Sequence, residues 1–452
     1  MKLTVTTILT LFALNAFGQQ FSGSREITLD DAIKLALEKN YSSRQAILQL
    51  EQAQYGRSKA GDALLPSANG TASYGYHKGL TSVTTTDYFA TPITTTTAVP
   101  DATHTLSYNV GASFNIYNGG FDAASISSSE SQLDAARYNL KWTRQSVAYN
   151  TIAAYMNALR TRELLRSAQT TYSQDSAQLV RVQAQFEAGA VAINSVYQQQ
   201  AVVGQDELQR IQSQNNYDNA VTDLLFLLDI PPSNHADYDL SLKGVDTSVT
   251  GIASRANQLK SDPTMLADLL NHREDLAAQR ANIQSQEEGI SVTRSALLPS
   301  LNANIGIGGS GTNTNISNIP LSHALTGGLT LSVPIFDRMQ TRIQLDIQRT
   351  QLDESKVQLD QAEQQFRSDI AKAENNLRSA QQALDASDRA LVAAEESLRS
   401  ATERARVGAG IQVDVIIAEA QAQTARVNRI NAVYNYLLAA KQLEYLLGRT
   451  NY

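Results

Sequence analysis

The sequence predicts a mostly α-helical protein in which long antiparallel coiled-coil helices are combined with four amphipathic membrane β-strands. Three observations carry this prediction: an internal repeat, a seven-residue apolar period in each copy, and a two-residue period in four short segments. The repeat is visible where the Leu-Leu-Pro motif at 64–66 recurs at 297–299 and where Gly189 recurs as Gly408. The chain is therefore expected to contain two copies of one structural unit.

The N-terminal segment, residues 1–18, has the pattern of a secretory signal peptide. Lys2 supplies the positive start, and the apolar stretch that follows is too short to span a bilayer. Small residues at Ala16 and Gly18 predict cleavage before Gln19. We therefore expect an exported protein, and a periplasmic, a secreted and an outer-membrane β-barrel location all remain open at this point.

Composition excludes several classes of protein. The 452-residue chain has no cysteine, so it can form neither disulfides nor thiolate metal sites and cannot use a cysteine nucleophile. Its 37 Lys and Arg against 44 Asp and Glu give a net charge of −7, which is too acidic for a protein that wraps nucleic acid. After the N-terminus no stretch is apolar enough for a transmembrane helix.

Each copy is predicted to run through four elements in the same order. The first repeat, 19–230, contains a short helix from Asp30 to Leu64, a β-hairpin at 66–118, a long helix at 121–188 and a short helix at 194–229. An equatorial segment at 231–263 follows. The second repeat, 264–452, repeats the pattern with a short helix, a β-hairpin at 299–336, a long helix at 338–407 and a short helix at 413–447.

The long helices show a sustained heptad. In the second copy Leu345, Leu352, Leu359 and Phe366 are seven residues apart, and the first copy repeats the pattern 219 residues earlier. A seven-residue apolar period of this length predicts supercoiled helices that pack on neighbours, each roughly 100 Å long.

Four segments alternate apolar and polar residues with a period of two over roughly ten residues, which is the length of a tilted membrane strand. Four strands cannot close a barrel, and lipid does not tolerate open sheet edges, so the chain must oligomerise. The polar stretches 79–105 and 310–324 are expected to be extracellular loops. The apolar residues of the four alternating segments include Tyr74 and Tyr76, Leu106 to Ile116, Leu301 to Ile307, and Leu325 to Ile335.

The chain resembles the TolC family of outer-membrane efflux proteins over essentially its whole mature length. The resemblance rests on the opening at 27–40, the paired Leu-Leu-Pro motifs, the helix turns ending in Gly189 and Gly408, and Leu446-Leu447-Gly448 near the end. It implies a homotrimer with a 12-stranded β-barrel in the outer membrane, a 12-helix periplasmic α-barrel and a mixed belt around it. It also implies that the turns at Gly189 and Gly408 contact a periplasmic adaptor.

The same resemblance implies an acidic constriction at the periplasmic end. The acid six residues after the second turn glycine is Asp414 here, and it is expected to line the pore constriction. A helix-start acid favoured by the helix dipole is the alternative role for this residue. Three other gate positions of the family carry Ser195, Gly410 and Ile417, so this gate is expected to be less polar.

No catalytic, cofactor or metal site is expected. The sequence contains neither a His-Glu-x-x-His motif nor a phosphate-binding Gly-Lys-Ser/Thr motif. The leading hypothesis is the outer-membrane exit duct of a tripartite efflux system, with an inner-membrane pump, an adaptor and outer-membrane lipid as partners. The alternatives are the outer-membrane component of type I protein secretion and a non-pore periplasmic coiled-coil scaffold. The five histidines are scattered: His77, His104, His235, His272 and His323.

Overall fold

The computed structural model describes residues 25–80, 83–89, 94–98, 101–231, 238–240, 270 and 273–448. The predicted signal peptide lies outside these residues, as does most of the predicted equatorial segment. The chain divides into two compact units. The first contains residues 1–41, 146–260 and 373–445, and the second contains residues 42–145, 261–372 and 446–452.

The described part is mainly helical and contains the predicted antiparallel strands, which confirms the fold class. Up to the first long helix the elements are β1 (Arg25–Ile27), α1 (Leu29–Lys39), α2 (Tyr41–Asp62), β2 (Ser67–His77), β3 (Val83–Asp87), β4 (Thr94–Ala98), β5 (Thr103–Asn118) and α3 (Phe121–Glu187). They continue with α4 (Ile193–Leu227), β6 (Tyr238–Leu240), α5 (Glu274–Ser295), β7 (Ser300–Asn313), β8 (Ser322–Ser332), α6 (Gln340–Arg406) and α7 (Gln412–Leu446).

The two long helices, α3 and α6, contain 67 residues each. The heptad residues Leu345, Leu352 and Phe366 of α6 are buried, as are Ile370 and Leu377 on the interleaved set. A seven-residue period keeps one seam of a slightly underwound helix turned toward its neighbours, which explains why these side chains between Leu345 and Leu377 are buried.

The predicted helix from Asp30 to Leu64 is broken at Asn40 into α1 and α2. Asn40 has an extended backbone, with ψ of 135°, while its N–H still closes α1 by donating to the Ala36 carbonyl. Its side-chain amide donates to the Leu227 carbonyl at the end of α4, at 3.0 Å. An Asn that satisfies a distant helix end in this way gains a tertiary hydrogen bond that a continuous helix would not provide.

The first unit has an apolar core built from several helices and a short parallel pair, β1 with β6. Tyr155 of α3 is fully buried and its hydroxyl donates to the Ile27 carbonyl at 2.8 Å, so the polar end of this large side chain is satisfied. Tyr149 and Tyr445 stack with ring centroids 4.7 Å apart. Other fully buried side chains include Ile33, Leu159, Leu224, Leu225, Tyr436 and Leu443.

In the second unit, α5 is held to α3 and α6 by a cation that lies between two aromatic rings. The Arg273 guanidinium lies 4.6 Å from the ring centroid of Trp142 and 4.1 Å from that of Phe366. It also donates to Asp275 at 2.6 Å. Cation–π contacts strengthen as water is removed, so this half-buried arrangement is a better anchor than an exposed ion pair.

The second unit also contains a four-stranded antiparallel sheet in the order β2-β5-β7-β8. Strands β2 and β5 form one hairpin, β7 and β8 form the other, and β5 pairs with β7 between them. One irregularity in the β5–β7 register, between Asn115 and Tyr117, marks a bulge near the helical end of β5.

The expected loop at 79–105 contains a second small sheet, β3 paired with β4, which periodicity did not reveal. Both strands are short runs of threonine, and β-branched side chains favour extended backbone even without apolar alternation. In the expected loop at 310–324, β7 continues to Asn313 and β8 begins at Ser322, so the loop is shorter than predicted.

Candidate channel site

The four-stranded sheet has two chemically different faces. Register places Leu106, Val110, Ile307 and Leu325 on the same face, together with the other aliphatic side chains of the strands. Val110, Ile307 and Leu325 are exposed in the single chain, Leu325 by 75 %, whereas Leu106 is half-buried. An apolar face of this kind suits contact with lipid hydrocarbon.

Toward the loop end, the apolar face finishes in aromatic and imidazole rings. His104 lies between Tyr74 and Tyr76, and the Tyr74 hydroxyl lies 2.7 Å from its Nδ1. Tyr108 makes the equivalent contact with His323. Amphipathic rings at the boundary of an apolar band are typical of the membrane–water interface.

The opposite face carries small uncharged polar side chains. Hydroxyl pairs bridge neighbouring strands at Ser67–Ser113, 2.8 Å, and Ser73–Ser107, 2.7 Å. Strands β2, β5, β7 and β8 contain no Asp, Glu, Lys or Arg at all. This face is therefore polar enough to contact water but has no fixed charge.

The two helix turns at Gly189 and Gly408 have the same backbone geometry. Gly189 has φ of +72° and Gly408 has φ of +76°, in the region where only glycine avoids a steric penalty. After α3, Ala190 N–H donates to the Gln185 carbonyl at 2.8 Å; after α6, Ala409 N–H donates to the Arg404 carbonyl at 2.8 Å. Both turns thus end their long helices with a Schellman motif.

Asp414 lies in the first turn of α7, six residues after Gly408, and its side chain is exposed in the single chain. Its backbone N–H donates to the Ile411 carbonyl at 3.1 Å. Ile417, one turn further, is 52 % exposed. Ser195 occupies the corresponding first turn of α4 and is partly buried.

A group of acidic side chains that sequence reasoning did not single out lies further along the same helices. Asp175 of α3 is only 2 % exposed and interacts with Asp206 of α4 and Glu419 of α7. Asp175 could have been noticed, since it occupies a buried heptad position between Ala168 and Val182.

No helix in the described ranges is both long and apolar enough to cross a membrane. Among the residues that the structure covers, no three His, Asp or Glu side chains are arranged to hold a metal ion.

Comparison with known proteins identifies the family. The model of the outer membrane efflux protein family matches residues 32–228 and 265–449, which is most of the chain and both predicted repeats.

Two relatives are named pyoverdine export outer membrane protein OpmQ. The one from Pseudomonas putida is 26 % identical over 316 residues, and the one from Pseudomonas aeruginosa is 24 % identical over 319 residues. Each match covers 70 % of this chain but 63 % of the relative, so it spans less than two thirds of the length of these relatives.

Solved structures share the fold at low identity. VceC from Vibrio cholerae superposes with a TM-score of 0.73 at 19 % identity, covering 93 % of this chain and 96 % of that one. The open-state MtrE channel of Neisseria gonorrhoeae gives a TM-score of 0.74 at 19 % identity, covering 93 % and 88 %. VceC is described as an outer-membrane protein and MtrE as an outer-membrane channel, and both share the fold of this chain. The chain therefore belongs to the outer membrane efflux protein family and shares the fold of these outer-membrane proteins.

Proposed function

We propose that this protein is the exit duct of a tripartite efflux system and conducts its cargo passively across the periplasm and the outer membrane. The observation that carries the proposal is the sheet β2-β5-β7-β8. It has one apolar and one uncharged polar face, and among the described strands its outer members β2 and β8 are each paired on one side only.

The unpaired edges of β2 and β8 require a partner in lipid. Backbone N–H and C=O groups that face hydrocarbon without a hydrogen bond cost several kcal/mol each, so the sheet must be closed by further copies. Three chains would supply 12 strands, within the range of known barrels. We therefore propose a homotrimer in which the apolar face of the sheet contacts lipid and the uncharged polar face lines the lumen.

The helical part is proposed to form the periplasmic tube. In this arrangement the turns at Gly189 and Gly408 lie at the tube's periplasmic tips, where they contact an adaptor that connects to an inner-membrane pump. Asp414, exposed on the first turn of α7, is proposed to form an acidic ring at the constriction. In this arrangement the pump supplies the energy for transport.

Two measurements on the purified protein test the duct. Mass measurement in detergent, with the detergent contribution subtracted, should give about three chains per particle. The same particles should produce discrete conductance steps in planar bilayers. A stable monomer, or particles that stay soluble without detergent, would contradict the proposal and favour the non-pore scaffold.

The cargo is proposed from the relatives alone. Because two relatives are named for pyoverdine export, a small secreted molecule of that kind is the first cargo to test. A strain that lacks its own exit duct and is complemented with this chain should release such a molecule into the medium. Release of a polypeptide instead would favour type I protein secretion.

A further inference from the structure

Three acidic side chains from three different helices meet inside the first unit. Asp175 of α3 is 2 % exposed, and its carboxyl group lies beside those of Asp206 of α4 and Glu419 of α7, which are half-buried. Neighbouring carboxyl groups repel each other when all are ionised, so a close group of them favours keeping a proton. We call Asp175, Asp206 and Glu419 the carboxylate cluster.

A buried glutamine points into the carboxylate cluster and leaves an acceptor unused. Gln199 of α4 is 1 % exposed, and its Nε2 donates to Asp175 Oδ1 at 3.2 Å. Its Oε1 is buried and has no hydrogen-bond partner, and the same is true of Asp206 Oδ2. Buried acceptors without donors are rare in folded proteins. A proton on a carboxyl group of the cluster would be a donor for such an acceptor. One turn after Asp206, the Nε of Arg210 is also buried without a partner.

The charged groups around the cluster do not neutralise it directly. On α3, the Arg181 guanidinium donates to Gln178. On α4, Arg210 lies over the Tyr172 ring at 5.4 Å. On α7, Arg426 pairs with Glu395 of α6 at 3.2 Å. In the described part of the chain, no ion pair shorter than 4 Å involves a member of the cluster.

The electrostatics agree with this geometry. Burial, followed by the hydrogen bond and the negative charge of Asp175, raises the pKa of Asp206 from 3.8 to about 7. Burial and then the charge and hydrogen bond of Asp175 raise the pKa of Glu419 from 4.5 to about 7, although Arg426 and Arg181 act in the opposite direction.

A cavity of about 310 Å³ lies on the next turns of the same three helices. It is lined in part by Gln209 and Ser213 of α4, Thr161 of α3, and Gln423 of α7. A polar cavity of this size holds several water molecules.

We propose that Asp175, Asp206 and Glu419 form a proton-binding site that fastens the α3–α4 hairpin to α7 when protonated and releases it when ionised. Glu419 lies eleven residues after Gly408 and seven after the start of α7 at Gln412, ~10 Å along the helix, so release loosens the end of α7 that carries Asp414. This inference rests on the proposed duct for its consequence, which is a periplasmic end that opens more readily as pH rises.

The direction in which pH changes the packing follows from proton linkage. Asp206 and Glu419 bind protons more tightly in the packed cluster than when the helices are separated, because burial and the neighbouring Asp175 raise the pKa of each. Its contribution to packing is therefore greatest below about pH 4 and is lost as pH rises through about 7. When Asp206 and Glu419 are ionised beside Asp175, their carboxylates repel each other within the packed helices.

Hydrogen exchange tests the site in the full-length protein in detergent between pH 5.5 and 8.5, after correction for intrinsic exchange. In the wild type, amide protection of residues 412–422 should fall about tenfold or more, with a midpoint close to 7. The double variant Asp206→Asn and Glu419→Gln should keep the protection of the acid form at every pH. Glu396→Gln, an exposed control on α6 paired with Arg399, should behave as the wild type does.

Wild-type protection without pH dependence, or the same dependence in the double variant, would overturn the proton site. If the double variant does not assemble, difference infrared spectroscopy of the wild type decides, because protonated carboxyl groups should disappear between pH 6 and 8. Conductance measured in parallel separates the two proposals. A pH-dependent exchange pattern without any conductance contradicts the duct alone, whereas conductance with pH-independent exchange contradicts the proton site alone.

Discussion

Tyr108 on β5 reaches across an intervening strand to His323 on β8, with its hydroxyl 2.6 Å from the imidazole Nδ1. The strand between them, β7, presents Gly309 at the crossing point, where it pairs with Tyr108 on one side and with His323 on the other. The missing side chain of Gly309 provides the space that the Tyr108 ring fills. This contact connects the two hairpins of the sheet through side chains as well as through backbone hydrogen bonds.

Replacing Gly309 with alanine should weaken the sheet. A Cβ atom there would lie 2.7 Å from Tyr108 Cε1 and 2.9 Å from the Ser322 carbonyl oxygen, which is closer than real Cβ contacts allow. We expect Gly309→Ala to cost about 1–3 kcal/mol of unfolding free energy, measured by urea denaturation in detergent. Gly327→Ala on β8 is the matched control, since the nearest atom to a Cβ at that position would be 3.8 Å away. Equal denaturation midpoints for the two variants would show that the Tyr108 crossing is not sterically tight.

The turn glycines should be sensitive to alanine for a purely conformational reason. A Cβ atom added to Gly189 or Gly408 would have no neighbouring atom within 4 Å, so only the positive φ of these residues opposes substitution. Each Gly→Ala change should therefore cost about 1–2 kcal/mol. Gly204→Ala, inside α4 and equally free of neighbours, should instead be neutral or stabilise the helix by up to about 1 kcal/mol. Thermal unfolding of the three variants provides the comparison, and a loss of stability in all three would refute the conformational explanation.

Asp414→Asn should reduce the preference of the channel for cations. Under the proposed threefold symmetry three Asp414 carboxylates share one narrow opening, and two charges ~8 Å apart at an effective dielectric of 20 repel by about 2 kcal/mol. Such a ring attracts cations and hinders anions. Reversal potentials in planar bilayers under a salt gradient measure the effect, with Glu396→Gln as the control on the exposed face of α6. Identical reversal potentials for wild type and Asp414→Asn would leave Asp414 as a helix-start acid.

Arg273→Ala should destabilise the second unit more than the loss of an ordinary surface charge does. The substitution removes contacts with both Trp142 and Phe366 and the hydrogen bond to Asp275, and we expect a cost of about 1–3 kcal/mol. Arg349→Ala removes an exposed pair with Asp346 and should change stability by less than about 0.5 kcal/mol. Urea denaturation of both variants tests this, and similar midpoints would show that the aromatic contacts add little.

The coiled-coil and membrane parts of the fold could be predicted because each has a period that survives along many residues. The heptad of α6 runs through Leu345 and Phe366, and the alternation of β5 runs through Leu106 and Val110. In both patterns the apolar residues recur on one face of the helix or strand, and that face has to be buried away from water. This regularity is visible in the sequence without a structure. The signal peptide, the repeat boundaries and the role of Asp414 remain predictions.

Other features depended on contacts between distant segments and could not be predicted. The break at Asn40 coincides with a hydrogen bond from its side chain to the Leu227 carbonyl, 187 residues away. The carboxylate cluster arises because α3, α4 and α7 bring Asp175, Asp206 and Glu419 together, and no period relates these positions. The β3–β4 pair was missed for a different reason: threonine-rich strands without a buried face produce no hydrophobic alternation.

The absence of ionisable residues other than histidine and tyrosine from β2, β5, β7 and β8 has a consequence for the rate of the last step of export. In the proposed duct, a charged solute that has passed the helices meets hydroxyl and amide dipoles on these strands, and no counter-ion must be exchanged before it leaves. Salt screens fixed charges. The rate of exit past the strands should therefore be nearly independent of ionic strength, whereas the rate of entry past an acidic group such as Asp414 should change with ionic strength. The two ends of the same path would thus be distinguishable by salt titration of the translocation rate.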